Sequence, residues 1–435
     1  MPAGRVKNLQ VVETFGHYIE KWSETAPERA RGLLKTGWEA QNLKLRLTPE
    51  RELSSADQYL ARLMMDTMLK PLKDPEHSIL VSIFTPCELM QEVGLFPYNV
   101  EGFSCYLSGS KAERAFLQTA EDSGISETLC SYHKTFIGAA QSGLLPRPRC
   151  IVYTSLACDA NLLTFKELAA LYDVPSFAID IPSERNDANV AYVADQLRDL
   201  GVFLEKMTGK KIDDASLRER LARSRRTLEN YDQFQKWRVD KYIPEDLVSP
   251  MYCGMTNNIL LGTKEEELYT RRLLKGLNKA ESAKGKRIYW MHTIPFWSEA
   301  VKEAFLLKES AQIVGCELAQ VIDLEHHAED PYEDMAMRLV YHSLNGSIIR
   351  RIDAGIRHAK ETKADGVVWF NHWGCKHTLG GSQLAKKRFE AAGLPTLILD
   401  GDGCDRSHGG EGQTATRLGA FLEMLGQEDG AAVIV

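Results

Sequence analysis

Seven short apolar runs, separated by stretches of helical periodicity, constrain this chain more than any other feature. They are SILVSIF (78–84), CIVYTSLAC (150–158), PSFAIDIP (175–182), KRIYWMH (286–292), QIVGCELAQVI (312–322), DGVVWFNH (365–372) and PTLILDGD (395–402). Runs this short, rich in β-branched and aromatic residues, suit buried strands. Strands that alternate with helices predict parallel sheets with crossover helices. The runs fall into two groups, so the chain reads as two doubly wound, Rossmann-like α/β domains over 76–183 and 286–435. Residues 1–75 read as a helical N-terminal extension, because SADQYLARLMMDTMLKPL sets apolar residues three and four apart. Residues 184–285 read as a charged helical region, as in DDASLRERLARSRRTLENYDQFQKW, whose charge runs suit a solvated helix face.

Composition removes some functions. A formal net charge of −7 offers no basic surplus for a nucleic-acid backbone. The first thirty residues hold no apolar core of signal-peptide length, and no run approaches the ~20 apolar residues of a membrane helix. The expectation is a cytoplasmic protein without membrane or nucleic-acid partners. In that reducing compartment its nine cysteines are expected to be free thiols.

Ligands of open α/β sheets bind beyond the carboxyl ends of the strands. Cys158, Cys375 and Cys404 each follow such an end, and Cys130 opens a predicted helix, where the helix N-terminus stabilises a thiolate. There is no Cys-x-x-Cys pair of the zinc-ribbon or ferredoxin kind. Position alone leaves two readings open, a shared metal or cluster site and ordinary buried thiols. EHHAED (325–330) is either a metal-like cluster or a solvated charged stretch. DGDGCDRSHGGEG (400–412) is Gly-rich after a strand, as phosphate-binding loops are, but lacks G-x-G-x-x-G and Gly-Lys-Ser/Thr; it is either such a loop or a tight turn. No nucleophile elbow is present.

Several of these segments, in order, resemble the 2-hydroxyacyl-CoA dehydratase and benzoyl-CoA reductase superfamily. They are FTPCELMQEVGLFP (84–97), LCSYHKTFIG (129–138), ACDAN (157–161), TIPFW (293–297), FNHWGCKHT (370–378), and LILDGDGCDRS with EGQTATRLGAFLEML (397–425). The likeness is to the large subunit of 2-hydroxyglutaryl-CoA-type dehydratases and covers roughly residues 78–435.

The resemblance implies that Cys130, Cys158 and Cys375 each give one thiolate to a [4Fe–4S] cluster, leaving one iron open for inner-sphere chemistry. Cys404 is then a fourth ligand or a spectator, and Cys87 and Cys105 stand near the site. Glu101, fifteen residues after Pro86, matches a glutamate associated with the substrate site. His372 and Trp373 flank Cys375 as pocket residues. The double-cubane reductases carry a Cys-x-Cys pair where this chain reads SLNGSIIRR (343–351), and that reading is disfavoured. The implied reaction removes water from an (R)-2-hydroxyacyl-CoA through a ketyl radical to give a 2-enoyl-CoA. Its implied partners are the acyl-CoA, a homologous second subunit (or a second copy), and a separate ATP-dependent activator with its own cluster. A benzoyl-CoA reductase-type subunit is the alternative. A cluster-free CoA-binding partner subunit is another.

Overall fold

The computed structural model describes residues 3–426 except 245, 321–323 and 409. The eight strands are β1 (Ser78–Val81), β2 (Phe96–Asn99), β3 (Cys150–Thr154), β4 (Ser176–Ile179), β5 (Lys286–Met291), β6 (Ala311–Cys316), β7 (Gly366–His372) and β8 (Thr396–Gly401). They form two parallel four-stranded sheets, ordered β2-β1-β3-β4 and β6-β5-β7-β8. Two doubly wound sheets are therefore present, as the strand pattern predicts. All seven residues of β7 are buried, as in a parallel strand covered on both faces.

Two strands differ from the sequence reading. β2 lies in none of the seven predicted runs, and it carries Pro97. Proline cannot donate to a ladder, and β2 tolerates it as an edge strand. β6 stops at Cys316, short of 322, and a 3₁₀ turn follows at Glu317–Ala319. Glu317 turns inward there to pair with buried Arg351, which a continuing strand would not permit. Residues 321–323 of that run lie outside the described residues.

The N-terminal helices Ala3–Thr25, Pro27–Leu47 and Ser55–Lys73 are part of the main core. Ile19, Leu34, Trp38 and Leu60 pack in one cluster with Phe103 and Phe136, and the Trp38 indole donates to Ser110 Oγ at 3.1 Å. Four long helices span the middle of the chain: Asp187–Thr208, Asp214–Trp237, Ser249–Ile259 and Lys264–Leu277. Ser249–Ile259 packs against both halves and carries Met251 and Met255 to the cavity described below. Among the described residues, no helix is long and apolar enough to cross a membrane.

Candidate functional site

Each sheet reverses its winding once, between β1 and β3 in the first and between β5 and β7 in the second. Such switch points open crevices at the strand ends. Residues just beyond β3, β5 and β7 line a single cavity of about 790 Å³, ample for a small-molecule ligand. Cys130, Cys158 and Cys375 all face it. They are also the three of the nine cysteines that are only part-buried.

The three share one local geometry. Cys130 precedes the helix Ser131–Gln141, Cys158 precedes Asp159–Tyr172, and Cys375 precedes the single turn Lys376–Leu379. Each is the N-cap residue, yet none spends its side chain on capping. A serine there would turn back onto the N–H groups of its own helix. These sulfurs are left for the cavity, with the positive ends of two full helices behind Cys130 and Cys158.

Gly374 permits the close approach. Its φ is +81°, and a Cβ at this position would stand 2.7 Å from Cys130 N and 2.8 Å from Cys130 Cα. The segment after β7 therefore lies directly against the backbone of Cys130. Burial pushes the Cys130 thiol well up, and repulsion from Cys375, Asp402 and Cys158 pushes it further. Cys158 is pushed up to about 12 by burial and then by Cys375. Burial and neighbouring sulfurs thus disfavour ionisation of Cys130 and Cys158, and their joint ionisation calls for a positive counterpart.

Imidazoles lie against two of the sulfurs. His372 Nε2 is 3.2 Å from Cys130 Sγ, and His292 Nε2 is 3.6 Å from Cys375 Sγ. The rings stack with centroids 5.7 Å apart. His292, at φ +76°, donates its backbone N–H to Glu317 Oε2 at 3.0 Å. The same carboxylate takes both arms of Arg351 at 2.6 Å each. Arg351 lines the cavity as a fixed buried cation and also donates to His377 O at 3.0 Å.

Glu101 lines the opposite wall, on the helix Val100–Gly109 that follows β2. Asn99 Nδ2 donates to its Oε2 at 3.1 Å, and Oε1 is 3.9 Å from His133 Nε2. Burial raises its acid to about 7. Burial also lowers His133 to about 4, so that ring is neutral. His133 Nδ1 lies 2.9 Å from Thr164 Oγ1.

The remaining cysteine candidates separate. Cys105 lines the cavity. Cys404 does not. It lies in the core, its Sγ 3.5 Å from Thr135 Oγ1 and 3.8 Å from Ser104 O. Cys87 is buried and donates to Thr85 O at 3.2 Å. Trp373 is 39% exposed and does not line the cavity. In the 325–330 segment, His326 stacks on Tyr341 at 3.7 Å. Among the described residues, no three His, Cys, Asp or Glu are grouped closely enough to hold one metal ion. A cluster spreads its ligands over separate irons, so the cavity-facing trio is not bound by that single-ion criterion.

Sequence reasoning missed His292, His133 and Arg351. His292 was within reach, because it ends the KRIYWMH run at a strand's carboxyl end.

Residues 82–425 match the sequence profile of the 2-hydroxyglutaryl-CoA dehydratase D-component. The lactoyl-CoA dehydratase subunit alpha of Anaerotignum propionicum is 23% identical over 381 residues, covering 78% of this chain and 88% of that protein. The (R)-phenyllactyl-CoA dehydratase beta subunit of Clostridium sporogenes is 24% identical over 361 residues, covering 79% and 90%. A benzoyl-CoA reductase subunit of Thauera aromatica is 22% identical over 396 residues, covering 81% and 90%.

Proposed function

Because the chain belongs to the 2-hydroxyglutaryl-CoA dehydratase D-component family, we propose that it is the iron–sulfur subunit of a 2-hydroxyacyl-CoA dehydratase. The observation that carries this reading is the set of three N-cap thiols, Cys130, Cys158 and Cys375, turned into one cavity with the protonatable carboxyl of Glu101. Three soft sulfur donors that repel one another as thiolates are a donor set suited to a cationic iron–sulfur group. Held by these three sulfurs, such a group would supply low-potential electron transfer to the cavity.

The chain's own residues do the rest. Loss of water from a 2-hydroxyacyl group requires a proton on the departing hydroxyl and a base for the β-hydrogen. Glu101, its acid raised to about 7, is about half protonated at neutral pH and lines the cavity while Asn99 fixes Oε2. Neutral His133 stands beside it, with Nε2 3.9 Å from Oε1, and adds no charge that would favour the ionised carboxylate. Arg351, locked by Glu317, supplies a buried positive charge for an anionic oxygen in the cavity. Met251, Met255 and Leu163 line the apolar part, which suits an acyl chain.

Subunits designated alpha and beta among the relatives support a second, homologous chain as partner. An acyl-CoA substrate and a separate ATP-dependent activator belong to the same proposal. The likeness to a benzoyl-CoA reductase favours a second reading, reduction on the same scaffold. Iron and acid-labile sulfide on protein purified without oxygen test the proposal, with an EPR spectrum after reduction. About four of each per chain are expected for one cubane, and none in folded protein would overturn it. Turnover that consumes electrons in proportion to product would favour reduction over dehydration.

A further inference from the structure

His372 does more than flank Cys375. The backbone N–H of Gly403 donates to His372 Nδ1 at 3.0 Å. A main-chain amide can only donate, so Nδ1 carries no proton and the ring is neutral with its hydrogen on Nε2. That hydrogen points at Cys130 Sγ, 3.2 Å away.

The amide is itself held in place. Asp402 Oδ1 accepts Ser131 Oγ–H at 2.6 Å and the N–H groups of Cys404 and Asp405 at 2.7 Å each. This pins the turn that carries Gly403. The other face of the ring is closed by Tyr132, at 5.1 Å, and by the stacked His292. His372 is fully buried, so water does not compete for Nε2. His292 stands near Cys375, but its Nδ1 faces the Thr293 hydroxyl, which either donates or accepts. Of these two rings beside cysteines, His372 is the one whose donor direction is set by the backbone.

We infer that His372 is a positioning residue that gives a fixed N–H···S hydrogen bond to Cys130, and so holds that sulfur in place and sets the reduction potential of the iron–sulfur group it would bind. The redox half rests on the function proposed above. A donor to a ligand sulfur withdraws charge from it and raises the potential, as hydrogen bonds to cluster sulfurs do.

The test uses His372→Asn, whose amide reaches the Nδ1 site but not Cys130, and His372→Gln, which reaches the Nε2 site. On iron-free full-length chain, iodoacetamide labelling of Cys130 at pH 8 is followed by peptide mass spectrometry, with Cys158 as internal control. Losing the donor should slow Cys130 about threefold for each unit its acidity weakens, since thiolate fraction falls tenfold while nucleophilicity partly compensates. Gln should restore the rate, and Cys158 should not change. On iron-loaded protein, an EPR redox titration should give a lower midpoint for Asn than for wild type or Gln.

Should Asn fail to fold, wild-type protein labelled with [15N]histidine carries the test. Its reduced, EPR-active form should show a weak 15N coupling by pulsed EPR that His292→Asn does not remove. Unchanged Cys130 labelling in folded Asn variant, an unshifted midpoint, or no 15N coupling would each overturn the inference. Wild-type protein that holds no iron but shows the labelling effect would overturn the cluster reading and retain the hydrogen bond.

Discussion

Ser131 Oγ donates to Asp402 Oδ1 across 2.6 Å, and this contact joins the residue after Cys130 to the turn after β8. Asp402 is 4% exposed, and the same oxygen serves two main-chain amides. Asp402→Ala would leave the serine and both amides buried without their acceptor. At ~1–3 kcal/mol for each of these three unmet groups, the loss should be at least about 3 kcal/mol, read as a lowered thermal midpoint. An unchanged midpoint would show that the turn is held by other contacts.

Cys158→Ala should lose most iron after anaerobic purification. Cys404→Ala should keep it, because that sulfur faces Thr135 and Ser104 and not the cavity. Iron and sulfide counts on the two variants separate a ligand from a core thiol. Equal counts would remove Cys158 from the ligand set.

Glu101→Gln should keep iron and lower turnover by ~10²-fold or more, the scale of one general acid. With the acid form in use and its midpoint near 7, wild-type kcat/KM should fall as pH rises past neutrality. A flat profile from pH 6 to 8 would remove the acid role.

Gly374→Ala tests the approach of the β7 segment to Cys130. The added methyl meets backbone, which cannot swing aside as a side chain can, and φ +81° is strained for alanine. Reduced iron retention is expected with far-UV dichroism unchanged. Full retention would mean that the two segments part without consequence for the site.

Glu266 lies away from the cavity and is fully buried. Burial raises its acid from 4.5 to about 8. Between those values the folded state keeps a proton that the unfolded chain has released, so stability falls as pH rises. The contribution is complete below about 4.5 and lost by about 8. Glu266→Gln should flatten that decline, worth on the order of a few kcal/mol, in denaturant titrations from pH 5 to 9. An unaltered slope would assign the decline to other groups.

Much of this could be read from the residues alone, and the limits have physical causes. The strand runs carry their own burial pattern, so both sheets were legible. β2 was not, because four residues with a proline give no period-two signal and depend on β1 for their pairing. The carboxyl-end rule picked out Cys158, Cys375 and Cys404 alike. Strand order tells them apart: β3 and β7 border switch points, whereas β8 is an edge strand. Strand order is a tertiary property, and no local spacing encodes it. The same holds for Arg351, whose partner Glu317 lies 34 residues away on another element.

The N-cap arrangement also bears on the order of events during synthesis. Cys130 and Cys158 sit with the first sheet, while Cys375 sits with the second, after β7. A nascent chain therefore presents two sulfurs long before the third leaves the ribosome. Anything held by all three must arrive late, once the sheets have met, and an excised half of the protein would be a poor vessel for it. If the three sulfurs hold the proposed cluster, its loading would report completed assembly, and a slow-folding variant should reveal itself first as an under-loaded one.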